Sequence, residues 1–149
     1  MRLVAFQPDL AHNLGGMIRL CVAFSTPLDV IEPCGFPFSL KSLKISALDY
    51  MEHCDLTRHV DWDHYIEVRR PGRLIALTTR ATTALWDFKF QPDDCLLMGR
   101  ESAGLPESVH RICDAHLLIP ISPQARSFNL ATAAGMALYE ARRQQTRPS

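Results

Sequence analysis

The segment Asp93-Asp94-Cys95-Leu96-Leu97-Met98-Gly99-Arg100-Glu101-Ser102-Ala103-Gly104-Leu105-Pro106 carries the signature from which the architecture follows. Its apolar run, Cys95 to Met98, stops at Gly99, and two glycines bracket Glu101. A second apolar run, Leu117 to Ile121, ends in a loop and then a helix rich in small residues. Both runs are too short for a helix and suit a buried strand. Strands apolar on both faces belong to parallel sheets covered by helices on each side. Ligands of such sheets bind beyond the carboxyl ends of the strands. Two such ends lie here, at residues 99–104 and 121–127. Taken alone, the Gly-x-Glu-x-x-Gly loop is also what any strand-to-helix turn needing positive φ would use.

Outward from this segment, Arg2 to Phe6 reads as a first strand. Asn13 is placed to cap a helix through its side-chain oxygen. That helix runs to about Phe24, with Met17, Leu20, Cys21 and Phe24 as its apolar stripe. Arg19 falls off the stripe, so packing does not account for it. Leu28 to Ile31 is a second strand closed by Pro33, and Cys34 to Ser39 is a loop. Leu40 to Leu48 is a short helix, Leu56 to Val60 a third strand, and Asp61 to Val68 a helix with an aspartate at its start. Leu74 to Thr78 is a strand. Thr79 to Phe90 is an irregular connection with a short helix near Trp86. Pro106 to Ile112 is a short helix and His116 to Ile119 a strand. Strands thus alternate with helices, which implies an α/β fold: a parallel sheet with helices on both faces. Residues 1–149 make a single domain of ordinary size, and Thr146 to Ser149 read as a disordered tail. In the last helix Leu130, Ala134, Ala137, Leu138 and Ala141 share one side. Ala131, Ala133 and Gly135 keep that helix thin, so another backbone can approach, either within the chain or from a partner.

Composition excludes several classes. Apolar residues make up 47% of the chain, enough for a full core. No run approaches the roughly 20 residues that span a bilayer, so no membrane is expected. Met1 to Phe6 is too short for a secretory signal, which leaves the cytoplasm as the expected location. The five cysteines form no C-x-x-C pair and sit mostly in apolar runs, as buried thiols do. The six histidines show no metal-binding spacing, so no metal is expected. Formal net charge is zero, which argues against a general basic field for nucleic acid. Any RNA contact must come from local patches, with Arg19; Lys41 and Lys44; Arg69, Arg70 and Arg73; and Arg142, Arg143 and Arg147 as candidates.

The two loops together narrow the reading. Ile119-Pro120-Ile121, five residues, then Ser127-x-Asn129-Leu130-x-x-Ala133 follows the Gly-x-Glu-x-x-Gly loop, and Asn13-x-Gly15-x-x-x-Arg19 precedes both. In that order the three motifs resemble those of the SpoU family of SPOUT-class RNA 2′-O-ribose methyltransferases. The compact form, with Ile31-Glu32-Pro33-x-Gly35-Phe36 and Leu48-Asp49-Tyr50, looks like the members acting on the tRNA wobble position. The resemblance implies a deep C-terminal trefoil knot, a homodimer built partly on the last helix, S-adenosylmethionine as methyl donor and S-adenosylhomocysteine as product. It implies a tRNA anticodon stem-loop as partner, with methylation of nucleotide 34, cytidine or modified uridine. Alternatives are ribosomal RNA as substrate, or a knotted RNA-binding protein without catalysis. Cofactor contacts are implied at Leu77, Thr78, Gly99, Glu101, Gly104, Ile119, Ile121, Ser127 and Leu130. Arg19 matches the family's catalytic arginine, which orients the ribose or accepts its proton, and Asn13 would shape the same pocket. Ser127 and Asn129 fall where donor and ribose should meet. Tyr139 matches a tyrosine of the wobble enzymes, or is a half-buried dimer residue. Two departures stand out. Arg100 replaces a common proline and is expected either to touch RNA or cofactor or to face solvent. Ala131 replaces a common serine, which would remove a hydroxyl near the cofactor.

Overall fold

The computed structural model describes residues 1–146, apart from the side chains of Leu40, Lys44, Ile45, Ser46 and Leu48. Of the tail expected to be disordered, Thr146 is instead the last residue of a helix, while 147–149, Arg147 of the basic clusters among them, and the side chain of Lys44 lie outside that description. Seven strands form one sheet: β1 (Arg2–Phe6), β2 (Leu28–Ile31), β3 (Leu56–His59), β4 (Leu74–Leu77), β5 (Thr83–Ala84), β6 (Cys95–Met98) and β7 (Ala115–Leu118). Their spatial order is β3-β2-β1-β6-β4-β7-β5, and every pair is parallel. The helices are α1 (Ala11–Ala23), α2 (Leu40–Ala47), α3 (Trp62–Val68), α4 (Glu107–Ile112) and α5 (Leu130–Thr146).

The alternation of strand side chains divides the interior into two cores. Leu3, Ala5, Leu96, Met98, Leu28 and Val30 face one side, where they meet Leu14, Met17, Ile18 and Cys21 of α1, Leu43 of α2 and the alanine face of α5. Val4, Phe6, Cys95, Leu97, Leu74 and Ala76 face the other, against Tyr65 of α3 and Val109 of α4. Leu14, Met17 and Ile18 are fully buried. Each contributes about 1.5–3 kcal/mol through removal of apolar surface from water, and this fixes α1 against the sheet.

Three expectations are corrected by the structure. Asn13 does not cap α1. The helix starts earlier, at Ala11, its cap residue is Leu10 without a side-chain bond, and Asn13 is buried inside the first turns. The helix expected to reach Leu48 ends at Ala47, and Leu48–His53 tightens into a 3-10 helix. The edge strand β5 lies within the stretch read as irregular. Asp61 does cap α3, accepting from the backbone N–H of His64 at 2.8 Å.

The thin face of α5 is used within the chain. Ala134, Ala137 and Ala141 have no exposed surface. A Cβ on Gly16 of α1 would lie 2.9 Å from Cβ of Ala131, and one on Gly135 would lie 3.3 Å from Leu20. Ala131 is therefore set by the close crossing of α1 and α5. All five cysteines are free. Burial pushes the thiols of Cys34, Cys54 and Cys113 up to about 11, so they are poor nucleophiles.

Candidate active site

Strand register brings three carboxyl ends together. Leu77 of β4 pairs with Met98 of β6 and with Leu117 of β7. Beyond them opens a cavity of about 480 Å³, within the usual range for small-molecule sites. Its floor is Leu77, Met98 and Ile119. Its walls are Thr78 and Thr79, the 99–104 loop, Ile121 and Ser127, and the starts of α1 and α5. All nine residues named from sequence as cofactor contacts line this one cavity, as do Asn13 and Asn129.

The 99–104 loop is rigid for identifiable reasons. Arg100 and Gly104 exchange two backbone hydrogen bonds, at 3.0 and 2.8 Å. Gly104 has φ of 64°, which favours glycine. Gly99 lies so close to the closing turn that an added Cβ would be 2.7 Å from the Gly104 carbonyl carbon. Arg100 borders the cavity and keeps 36% of its side chain exposed, but its charge is paired within the protein. Its guanidinium donates to the Asp9 carboxylate at 2.6 and 3.2 Å, and the other Asp9 oxygen accepts from the N–H and hydroxyl of Ser102 at 2.9 and 2.7 Å. Arg100 first, then Ser102, hold the Asp9 carboxyl well below the usual carboxylate range. Arg100 thus clamps the β1–α1 loop to the β6 loop while part of its side chain still faces solvent.

A chain of polar bonds then joins the three motifs. The Glu101 carboxylate accepts from the Asp9 backbone N–H at 2.5 Å and from the Asn13 amide at 3.3 Å. Asn13 Oδ1 accepts from the Asn129 amide at 2.9 Å. Asn129 Oδ1 accepts from the backbone N–H of Thr132 at 3.1 Å, capping the first turn of α5. Asn13 and Glu101 are thus held by protein partners within the cavity wall. After β4, the Thr78 N–H donates to Leu117 O at 2.8 Å, which ties that wall to β7.

Not every predicted residue reaches the cavity. Arg19 is exposed on α1 outside the lining, with its guanidinium 5.2 Å from the centroid of the Tyr50 ring. Tyr139 is 63% exposed on α5 and also outside it. Ala131 is not a lining residue either. Ala133, which closes the third motif, lines the cavity too, and Leu10, His12, Leu105 and Phe128 line it without having been singled out in the sequence. Nothing in its local pattern marked Leu105. His12 could have been found, because it directly precedes the first motif. Several basic candidates are occupied elsewhere: Arg69 donates to Gly72 O, Arg73 to both oxygens of Asp94, Arg142 to Phe24 O, and Arg143 to Glu140. Among the described residues no group of three or more His, Cys, Asp or Glu could hold a metal ion. No helix among them is long and apolar enough to cross a membrane.

Comparison with known proteins gives concordant matches. The model of the SpoU rRNA Methylase family matches residues 1–139. A tRNA (cytidine(34)-2′-O)-methyltransferase of Beijerinckia indica is 46% identical over 144 residues, covering 95% of this chain and 90% of that protein. A solved structure described as giving insights into 2′-OH methylation of C/U34 on tRNA superposes with a TM-score of 0.92 at 40% identity, covering 97% of this chain and 95% of that one. The SpoU methyltransferase AviRb of Streptomyces viridochromogenes, in complex with AdoMet, superposes at 0.86 with 28% identity, covering 97% of this chain and 60% of that one.

Proposed function

Because the chain belongs to the SpoU rRNA Methylase family, we propose that it methylates the ribose 2′-hydroxyl of tRNA nucleotide 34, cytidine or uridine, from S-adenosylmethionine. One observation carries this beyond family membership. The three sequence motifs, drawn from positions 13 to 133, build a single cavity at the ends of β4, β6 and β7, and direct side-chain bonds lock them together. Relatives matched along nearly their whole length act on cytidine 34 of tRNA by name, which favours tRNA over ribosomal RNA.

The residues present fit the proposed donor. Leu77, Met98, Ile119, Ile121 and Leu130 offer apolar walls for a planar base. Strand ends and the 99–104 loop bring backbone polar groups to the same space, and Gly99 lets that loop close tightly on itself. Thr78, Ser127 and Asn129 would supply the few polar handles such sites use. Bound S-adenosylmethionine would supply an electrophilic methyl group on a sulfonium. The chain's task is then to hold the 2′-oxygen in line with that carbon, to exclude water and to take away the hydroxyl proton. Ser127, exposed at the cavity mouth, would meet the ribose. Arg19, outside the cavity on the same helix as Asn13, would grip an RNA phosphate, a task suited to its planar fork.

The same proposal includes the finer points: the anticodon stem-loop as the part of tRNA recognised, a homodimer, a knotted C-terminal path and a cytoplasmic location. The exposed Met136 and Tyr139 on the outer face of α5 support the dimer, since the small-residue face is already covered. Mass mapping of nucleosides from tRNA incubated with protein and S-adenosylmethionine tests the reaction. A 2′-O-methyl group at position 34 is expected. Its absence there, or its appearance only in ribosomal RNA, would overturn the reading.

A further inference from the structure

The segment Ile31-Glu32-Pro33-Cys34-Gly35-Phe36 stood out in the sequence, yet none of its residues lines the cavity. What it builds lies on the same carboxyl edge of the sheet, beyond β2 and β3. The strand ladder continues one residue past β2, where the Glu32 N–H donates to His59 O at 2.9 Å. Val30 pairs with Arg58, so strand alternation sends Glu32 and Arg58 to one face, that of α1 and α2. There Nε and Nη2 of Arg58 donate to the two Glu32 oxygens, at 3.0 and 2.7 Å. The guanidinium lies over the Phe38 ring, 3.9 Å from its centroid. Phe38 packs in turn against the core.

These contacts fix the guanidinium as a plane. Phe38 covers one face and Glu32 takes one edge. The other face and Nη1 remain, and 48% of the side chain is exposed. Such a plane stacks on a nucleobase as an aromatic ring does, and Nη1 keeps two donors. Phosphate binding rests on uncompensated charge, and Glu32 compensates Arg58. A base and not a phosphate is therefore the ligand this geometry selects. Lys41, exposed in the first turn of α2 and without a hydrogen bond or ion pair among the described residues, is left for a phosphate.

The plane is tied to the cavity. The Gly35 N–H donates to Pro8 O at 2.9 Å, and a Cβ on Gly35 would lie 2.8 Å from Asp9 Cα. Asp9 is the residue that Arg100 and Ser102 clamp. β3 stands three strands from β6, about 14 Å across the sheet. One single-stranded loop of RNA can reach across that distance along the edge.

We infer that Arg58, held flat by Phe38 and Glu32, is a stacking platform for an unstacked base of the anticodon loop. It is a positioning residue for the methyl transfer proposed above, on which this assignment rests.

The test uses anticodon stem-loops that carry the fluorescent base 2-aminopurine, in turn, at each loop position other than nucleotide 34. They are titrated with protein saturated with S-adenosylhomocysteine. At one position the fluorescence should be quenched as the base stacks on the wild-type protein. Arg58→Lys keeps the charge without the plane, and Arg58→Ala removes both. Both should lose that quenching and bind the stem-loop roughly 5- to 100-fold more weakly. KM for tRNA should rise with it, while S-adenosylhomocysteine affinity and kcat at saturating tRNA are retained. Melting temperature verifies that each variant is folded, and Arg58→Lys, conservative at a half-exposed position, decides the matter should the alanine variant unfold. Wild-type affinity and quenching in Arg58→Lys, or no loop position whose fluorescence depends on Arg58, overturns the platform. Methylation of nucleotide 34 by the wild type then leaves the methyltransferase reading intact. A wild-type protein that methylates no tRNA overturns both.

Discussion

Replacing Gly99 with alanine tests how tightly the cofactor loop is built. The added methyl carbon would lie 2.7 Å from the Gly104 carbonyl carbon and 2.9 Å from both Gly104 Cα and Leu105 N. All three are backbone atoms, so no side-chain rotation relieves the contact. The loop must open, and the two Arg100–Gly104 hydrogen bonds must lengthen with it. Overpacking of this kind costs about 1–3 kcal/mol. Loss of two net hydrogen bonds costs about 0.5–1.5 kcal/mol each. These costs overlap, since opening the loop is what relieves the clash, so a loss of about 2–3 kcal/mol is expected. For a chain of this size that lowers the melting temperature by roughly 4–12 °C. Cofactor affinity should fall as well, tenfold for each 1.4 kcal/mol or so of binding energy lost with the displaced loop. Calorimetric melting and titration with S-adenosylhomocysteine measure both. An alanine variant with unchanged melting and unchanged affinity would show that the close approach at Gly99 constrains nothing.

Further outcomes follow from other contacts. Arg19→Ala should lower single-turnover transfer on the order of 10²-fold by misplacing the RNA, while melting changes little, because its contact with the Tyr50 ring contributes only about 0.5–1 kcal/mol at an exposed site; near-normal transfer would remove Arg19 from the mechanism. Asp9 has a depressed native pKa, so its contribution to stability is present above the unfolded value of about 3.9 and is lost as pH falls below it. Asp9→Asn should therefore be less stable than wild type at neutral pH and lose less stability below pH of about 4, as read from urea unfolding at a series of pH values; parallel curves would refute this. Ala137→Leu should destabilise by about 1–3 kcal/mol through overpacking a site with no exposed surface, seen as a lower urea midpoint. A sedimentation change with an unaltered midpoint would return that face to a subunit interface.

Much of the fold could be read from sequence because β4, β6 and the apolar stripe of α1 carry unbroken hydrophobic patterns. Where the reading failed, the deciding contact lay far away in sequence. Asn13 looks like a helix cap locally, yet its amide serves Glu101, 88 positions later, and its carbonyl oxygen serves Asn129. Arg100 breaks an expected motif for the sake of Asp9, 91 positions earlier. The strand β5 has two residues, Thr83 and Ala84, too few for any period to register. A stripe of small residues in α5 shows that a backbone approaches closely but not whose it is, and here it is α1 of the same chain. The cavity was the most legible part, since each loop announces itself by glycine and polar punctuation. Leu10 and His12 escaped notice because they lie at the cap and in the first turn of α1, just ahead of the first motif.

The strand order also has a consequence for synthesis. β6 lies between β1 and β4, so Leu3 finds its partner Leu96 only 93 positions later. At about 5–20 residues per second, translation leaves that pairing open for roughly 5–19 s. During this interval β1 can pair with β2 on one side, while its other edge, Leu3 to Phe6, stays apolar and unsatisfied. Open apolar edges template association between chains. The nascent half-sheet on the ribosome, and not the finished domain, is therefore the species most in need of protection from its neighbours.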